Sequence, residues 1–278
     1  MKNIPVSIRY LVMAMFCLTL WLSGTREAMA GGPIDCGSKP IKVGYFKLGY
    51  RFYVDGGQEK GMNVDILAEI RKRTGCKFVS QEMSFARIMA GLASGKLDVS
   101  LSGIWSAERE RTLWMIPSIA SKNYAVIGPA ARTSVRNAED FFKNKKLQFG
   151  VVRGYTHSKE LDRWLVKMRR EGRVEESANV DLLYEKLKAG RIDGIFSFPF
   201  VYRKILKEMN IMDNVSIQDW SPGDKGIIGC TMLTKSRFSE TEANRWRALI
   251  RDMQRDGTLK RIFTRYVTAA EADQMLAF

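Results

Sequence analysis

A seven-residue phrase occurs twice in this chain and constrains its fold more than any other feature. Residues 92–98 read LASGKLD, and residues 187–193 read LKAGRID. Each copy ends an amphipathic helical pattern with a glycine, then adds a basic residue, an apolar residue and an aspartate before a short apolar segment. This pattern predicts a helix, a glycine C-cap and a strand, once in each half of the chain. The repeat therefore favours two similar α/β lobes, with a cleft between them, over one large domain.

Strand and helix patterns alternate along the rest of the chain. This alternation predicts an α/β fold in which each lobe is a mainly parallel sheet flanked by helices. We predict a first lobe over residues 31–126, a second lobe over 127–221, and a return to the first lobe over 222–278. Because no low-complexity linker separates the lobes, we expect crossover strands near 122–129 and 218–226 to act as hinges.

The first 30 residues have the pattern of a secretory signal peptide. Lys2 and Arg9 make the start basic, residues 10–22 are an apolar run, and residues 28–30 (AMA) have the small residues of a cleavage site. We predict cleavage after Ala30 and export to the periplasm, with a retained membrane anchor as the alternative. No later stretch is long and apolar enough to cross a bilayer.

Three cysteines follow the predicted cleavage site: Cys36, Cys76 and Cys230. Export makes a disulfide possible. Cys36 precedes the first predicted strand, and Cys76 begins the strand after the first helix, so neighbouring strands would bring the two together. We predict a Cys36–Cys76 disulfide with Cys230 as a buried free thiol; three unpaired thiols are the alternative. Without a Cys-x-x-Cys motif or a histidine pair, the sequence predicts no metal site.

The chain is strongly basic, but its positive residues are spread out. The first 30 residues carry three basic and one acidic side chain, so the net charge falls from +15 to +13 without them. The remaining short basic clusters lie on polar helix faces or in loops, which is typical of solvated surface. Since export also removes most nucleic-acid partners, we expect none, and the positive charge weakly favours an acidic ligand.

Six motifs follow one another in order along the chain. They read VGY, GMNVDILAEI, LASGKLDVSLSGIWSAERER, FGVVRGYTHS, LKAGRIDGIF and LIRDMQRDGTLKRIF. Their order and spacing resemble family 3 of the bacterial periplasmic solute-binding proteins, the polar amino acid receptors of ABC importers. The resemblance covers essentially the whole chain after residue 30. It implies the type II periplasmic-binding fold, a monomer whose two lobes close around a small carboxylate-bearing ligand, a membrane ABC permease as partner, and no cofactor.

The resemblance also implies ligand contacts in the first lobe. The family clamps the ligand carboxylate with an arginine, and the matching run SAER at 106–109 makes Arg109 the candidate. A guanidinium offers two parallel hydrogen bonds to a carboxylate. Because the segment is one residue shorter than the family pattern, Arg111 is the alternative clamp. Ser102 and Gly103 match the donors that precede the clamp, and Trp105 is either a pocket wall or part of the core.

Other implied contacts lie in the loop after the first strand and in the second lobe. Tyr50 and Phe52 occupy the loop where the family stacks an aromatic ring on the ligand. Tyr155 and Thr156 match a turn whose hydroxyl and amides hold an anionic group at a helix start, although a plain N-cap would look the same. Ser197, which follows the second copy of the repeat, is a further candidate ligand contact.

Phe198 marks a departure from the family. The family usually places an acidic residue here to pair with the ligand ammonium, and this chain has none. A buried ammonium without a counter-charge costs several kcal/mol. Either another acid serves, or the ligand is not a standard α-amino acid.

An enzyme is the main alternative to a receptor. A cyclohexadienyl dehydratase-like activity occurs on the same fold, but it needs a catalytic carboxylate in the cleft, and Phe198 argues against one. His157 is the single histidine of the chain, and a lone histidine beside a helix start is most often a surface residue. The sequence shows no nucleophile elbow, phosphate-binding loop or metal pair. We therefore predict a binding protein without catalytic residues; a ligand sensor without a transport role is a further alternative.

Overall fold

The computed structural model describes residues 33–155 and 157–278, and Ile34–Phe278 form one compact unit. The predicted signal peptide and Thr156 lie outside the described residues. Within this unit the chain builds two five-stranded sheets flanked by helices. The predicted two-lobed α/β class is therefore confirmed.

The first sheet is built from both ends of the described chain. Its strands are β1 (Ile41–Tyr45), β4 (Phe78–Glu82), β5 (Val99–Ile104), β6 (Leu113–Ser121) and β12 (Ile227–Thr234). Their order is β4–β1–β5–β12–β6. β1 pairs in parallel with β4 and β5, whereas β12 runs antiparallel to β5 and β6.

The second sheet is built from the middle of the chain. Its strands are β7 (Tyr124–Ile127), β8 (Phe149–Val152), β9 (Val174–Ser177), β10 (Gly194–Ser197) and β11 (Ser216–Gln218). Their order is β11–β7–β10–β8–β9, with parallel pairing from β10 to β9 and antiparallel pairing around β7. A short hairpin, β2 (Tyr53–Asp55) and β3 (Gln58–Lys60), projects from the loop after β1.

Ten helices connect the strands in the described part of the chain. They are α1 (Met62–Thr74), α2 (Phe85–Ala93), α3 (Ala107–Glu110), α4 (Ala138–Lys143), α5 (Lys159–Arg170), α6 (Val180–Lys188), α7 (Pro199–Glu208), α8 (Glu240–Arg255), α9 (Thr258–Phe263) and α10 (Ala269–Met275). A 3₁₀ turn spans Met212–Asn214. Most begin with a Ser, Thr or Asn side chain that accepts a hydrogen bond from the first turn, including Ser106 before α3.

The two copies of the repeat have the same structure. Gly95 and Gly190 follow α2 and α6 with φ of 68° and 67°, a left-handed conformation that favours glycine. The Asp98 carboxylate accepts a hydrogen bond from Lys42 N at 2.8 Å, and the Asp193 carboxylate accepts one from Gln148 N, also at 2.8 Å. Each repeat aspartate therefore ties its own strand entry to the neighbouring parallel strand, β1 in the first sheet and β8 in the second.

A disulfide lies in the first lobe, and an ion pair links the two crossovers between the lobes. Cys36 and Cys76 are bridged, because they precede the neighbouring parallel strands β1 and β4, whereas Cys230 is a buried free thiol in β12. The chain passes between the sheets at 121–124 and 218–227. Lys122 Nζ and Asp219 Oδ2 lie 2.6 Å apart and link these two crossovers. The lobe boundaries at 126/127 and 221/222 lie in or beside the crossovers and stay predictions.

Candidate ligand-binding site

A small cavity of about 70 Å³ lies against the second sheet. It is lined by predicted residues Tyr155, Ser197 and Phe198, and closed on other sides by Leu48 from the loop after β1 and Asn123 from the first crossover. Elements of both halves therefore meet around it. None of the described residues that line it carries a carboxylate, in agreement with the absence of an acid from the sequence near Phe198.

The polar group at the base of this cavity is Ser197. Its side chain is buried and accepts a hydrogen bond from Tyr184 Oη at 2.7 Å. Burial raises the pKa of the Tyr184 phenol, so the phenol stays a neutral donor. The Phe198 ring stacks on the Phe200 ring with a centroid distance of 5.3 Å. The base of the cavity is thus neutral and partly aromatic.

His157 also lines the cavity, and its expected surface position is wrong. The side chain is half-buried, its ring lies 5.3 Å from the Phe196 ring, and Nε2 is enclosed without a hydrogen-bond partner in the described chain. Burial lowers the pKa of His157 and outweighs the opposite effect of the Asp162 carboxylate, so the imidazole is neutral at pH 7. His157 N donates to the Asp162 carboxylate at 3.2 Å, which holds the residue against the first turn of α5.

Arg109 lies at the carboxyl end of β5. Ser106 Oγ accepts from Arg109 N at 3.2 Å, and the Arg109 side chain folds back so that Nη1 donates to Ile104 O at 2.6 Å. The guanidinium carbon lies 5.5 Å from the Phe85 ring centroid. The side chain is half-buried, and this one hydrogen bond leaves most of its N–H groups free among the described residues. Arg111, the alternative clamp, is exposed.

Ser102 belongs to a separate polar cluster that also contains Arg51 and Asn63. Asn63 Nδ2 donates to Ser102 Oγ at 2.7 Å, and Arg51 Nη2 lies 3.4 Å from the same oxygen. Arg51 is 4% exposed and also donates to Leu101 O. Burial lowers the pKa of the Arg51 guanidinium to about 10, which leaves it protonated at neutral pH. Sequence reasoning missed Arg51 because no helical or strand periodicity marks a loop arginine as buried.

Gly103 follows Ser102 in β5 and is buried. A Cβ there would approach Met232 Sδ to 2.5 Å, so its small size is required by packing against β12. Its predicted role as a backbone donor to the ligand stays a prediction.

The aromatic residues of the loop after β1 have different positions. Phe52 is fully buried and stacks on Tyr45 with a centroid distance of 4.7 Å, so it belongs to the core and its predicted place in the pocket lining does not agree with the structure. Tyr50 is half-buried, and its backbone N donates to Phe200 O at 2.6 Å. Trp105 is 49% exposed, which rules out the core alternative for its side chain.

A second contact between the two halves involves α7 and α10. Glu271, 8% exposed, accepts hydrogen bonds from Tyr202 Oη, Arg203 Nε and Thr268. Burial alone would raise the pKa of Glu271, but the hydrogen bonds from Arg203, Tyr202 and Thr268 outweigh it and hold this pKa below its ordinary value. The carboxylate is therefore charged and fully bonded.

The predicted site residues thus fall into separate groups. Tyr155, Ser197 and Phe198 share the cavity, Ser102 joins Arg51, and Arg109 lies with Phe85 at the end of β5. Among residues 33–155 and 157–278, no hydrogen bond joins Arg109 to the cavity group. Phe85, Asn63 and Tyr184 are neighbours that the sequence did not single out.

The amino-acid sequence matches a known family. The sequence profile of the bacterial extracellular solute-binding proteins, family 3, matches residues 42–269. The chain belongs to this family. A comparison with curated proteins gives no match. As a family 3 member, the chain has a substrate-binding role and binds a small molecule.

Solved structures of similar fold are binding proteins of the same kind. An ancestral arginine-binding protein bound to arginine is 22% identical with a TM-score of 0.61, over 82% of this chain and 97% of that one. The second substrate-binding domain of Lactococcus lactis GlnP, in an open conformation, is 16% identical with a TM-score of 0.64, over 85% and 98%. An ancestral amino acid-binding protein described as a precursor of cyclohexadienyl dehydratase is 17% identical with a TM-score of 0.61, over 82% and 96%. At these identities the likeness shows the fold.

Two further findings concern membranes and metals. None of the helices in the described ranges has the length and hydropathy needed to cross a membrane. No group of three or more His, Cys, Asp or Glu side chains within the described residues is arranged to hold a metal ion.

Proposed function

We propose that this chain is the periplasmic substrate-binding component of an ABC importer and captures a small carboxylate-bearing ligand by hinge closure. The observation that carries the proposal is the cavity at the meeting point of the two halves, whose described lining contains no acid. Such a lining suits a ligand that presents no buried ammonium there, because an unpaired buried charge costs several kcal/mol.

Arg109 holds the ligand carboxylate in this proposal. Its guanidinium has N–H groups left over after the bond to Ile104 O, and a guanidinium can hold a carboxylate with two parallel hydrogen bonds. The Phe85 ring lies 5.5 Å from the guanidinium carbon and contacts the face of the group, so its edge can form two parallel hydrogen bonds to a carboxylate. Gly103 and Trp105, next to this position, complete the first half of the site.

The second half of the site is the cavity. Ser197 and Phe198 form its base, and Tyr155 lies at the turn before α5, where backbone N–H groups favour an anion. The ligand contacts both halves only when they are close together. Binding therefore shifts the equilibrium toward the closed form, which a membrane permease then recognises.

A receptor fits this cavity better than an enzyme. Dehydration of a cyclohexadienyl substrate needs a carboxylate in the cleft, and the described lining of the cavity has none. One structural neighbour is the precursor of such an enzyme and is itself an amino acid-binding protein. Consumption of a bound compound would contradict the receptor.

Replacing each candidate clamp by glutamine tests the proposal. We expect Arg109→Gln to weaken carboxylate binding at least tenfold in calorimetric titrations, because a bidentate charged contact is lost, and Arg111→Gln to leave binding unchanged. The ligand for the titration comes from a thermal-shift screen of amino acids, monocarboxylates and dicarboxylates. Unchanged affinity of Arg109→Gln would show that this residue is not the clamp, and a loss in Arg111→Gln would assign the role to Arg111.

A further inference from the structure

Arg51 is a buried cation whose surroundings contain no counter-charge among the described residues. Its guanidinium donates to one carbonyl oxygen, Leu101 O, and lies 3.4 Å from one hydroxyl oxygen, Ser102 Oγ. Nε is enclosed without an acceptor, and Nη1 donates no hydrogen bond within the described chain. A buried charge is stable only when it is paired and hydrogen-bonded, so this cluster lacks an anion.

Ser102 supplies a donor beside this guanidinium. Its oxygen already faces two N–H groups, one from Asn63 Nδ2 and one from Arg51 Nη2. A hydroxyl has one proton of its own, and none of the hydrogen bonds in the described chain uses it. Because Ser102 is half-buried near the carboxyl end of β5, this proton remains available to a ligand.

The cluster lies under a contact between the two halves of the molecule. The Phe200 ring, at the start of α7, lies 5.8 Å from the Arg51 guanidinium carbon, and Phe200 O accepts from Tyr50 N. A Cβ at Gly49 would come within 2.1 Å of Phe200 O, so the loop after β1 and α7 are in direct backbone contact. Separation of the halves would uncover Arg51, and closure would bury whatever it holds.

Arg51 and Arg109 are both anchored to β5. Their guanidinium groups donate to Leu101 O and Ile104 O, three residues apart, which is about 10 Å along a strand. Two cations held by one strand suit a ligand that carries two anionic groups.

We propose that Arg51 and the Ser102 hydroxyl bind a second anionic group of the ligand, so that the ligand is a small dianion such as a dicarboxylate. The inference rests on the proposed function, because it assumes that Arg109 holds the first carboxylate. The absence of an acid near Phe198 argued against a standard α-amino acid, and this inference names a dianion as the ligand class instead.

Titration with simple acids tests the inference. Wild-type protein and the variants Arg51→Gln, Ser102→Ala, Arg109→Gln and Arg251→Gln are titrated by calorimetry with succinate, glutarate and adipate, and with propionate, butyrate and valerate, at constant ionic strength. Arg251 is exposed on α8 and controls for the loss of one positive charge.

We expect one dicarboxylate to bind wild type at least tenfold tighter than every monocarboxylate. Arg51→Gln should remove this preference, Ser102→Ala should reduce it about threefold, and Arg251→Gln should keep it.

The outcomes separate the two proposals. Wild-type affinity for dicarboxylates in Arg51→Gln, together with a loss in Arg109→Gln, would overturn the role of Arg51 and leave the proposed function intact. Wild-type protein that binds mono- and dicarboxylates equally would overturn the second anionic site, and wild type that binds none of the acids would overturn both proposals. If circular dichroism shows that Arg51→Gln does not fold, the Ser102→Ala variant tests the inference. Unchanged affinity of Ser102→Ala for the dicarboxylate would then overturn it.

Discussion

Two buried arginines, one in each half of the molecule, have opposite surroundings. Arg173, just before β9, is 2% exposed, and Arg51, in the loop after β1, is 4% exposed. The Arg173 guanidinium donates to five oxygens, those of Phe141, Phe142, Asn144, Leu147 and the Glu171 carboxylate. Arg51 has one carbonyl, one distant hydroxyl and no carboxylate among the described residues.

The difference teaches how to distinguish a structural charge from a binding one. Arg173 ties the end of α4 and the start of β8 to β9, and its donors are used within the fold. Arg51 keeps unused donors at a contact between the two halves. Both guanidinium groups are buried, so their hydrogen bonds distinguish their roles. A guanidinium whose donors are all used within the fold is structural, whereas one with unused donors can bind an anion.

Arg173→Gln should give the largest effect on stability. The change leaves several buried carbonyls without donors, and we expect the free energy of unfolding to fall by about 3 kcal/mol. Urea unfolding followed by circular dichroism measures it, with Arg173→Lys, which retains the charge but has fewer donors, as an intermediate control. A loss smaller than that of Arg51→Gln would reverse the comparison.

Glu271→Gln sharpens the comparison at the second contact between the two halves, which also involves α7. The buried Glu271 carboxylate accepts hydrogen bonds from Tyr202 and Arg203 of α7. Because glutamine removes the charge from these bonds, we expect the free energy of unfolding to fall by about 1.5 kcal/mol. Because the pKa of Glu271 in the folded state lies below its ordinary value, its contribution is present above about pH 4.5 and is lost as the pH falls through the folded pKa. Unfolding at pH 7 and at pH 3 measures this.

At pH 3, wild type and Glu271→Gln should differ less than at pH 7. An equal difference at both pH values would show that the Glu271 charge does not stabilise the contact.

Glu171→Gln should have the smallest effect of the three. Glu171 pairs with Arg173 and Lys145 at an exposed position on the surface, so water and salt screen the pair. We expect a smaller loss than for Arg173→Gln, and one that shrinks when unfolding is measured in 0.5 M rather than 0.05 M NaCl. A salt-independent loss as large as that of Arg173→Gln would mean that the carboxylate, not the carbonyls, satisfies Arg173.

Local signals in the sequence predicted much of the fold. The repeat predicted the two glycine-terminated helices and the strands after them, and the position of Cys36 and Cys76 before neighbouring strands predicted the disulfide. β6 was missed, because Pro117 interrupts its apolar run. Proline is tolerated there since β6 is an edge strand and a register shift occurs opposite it.

The candidate site was less predictable because its contacts are long-range. Arg51 and Ser102 are about 50 residues apart in sequence, and Phe200 is farther still. Phe52 and Tyr50 lie in the same loop with similar side chains, yet one is in the core and the other at the contact with α7. No periodic pattern distinguishes them, because the loop has no regular backbone repeat.

The Cys36–Cys76 disulfide acts mainly on the unfolded chain. It closes a loop with a sequence separation of 40 residues, which contains β1, the hairpin and α1. A loop of that length restricts the disordered ensemble by about 4 kcal/mol of chain entropy on the loop-closure estimate. With the same folded contacts, the protein would therefore have a lower free energy of unfolding in a reducing compartment. It reaches its full stability only where the two thiols are oxidised.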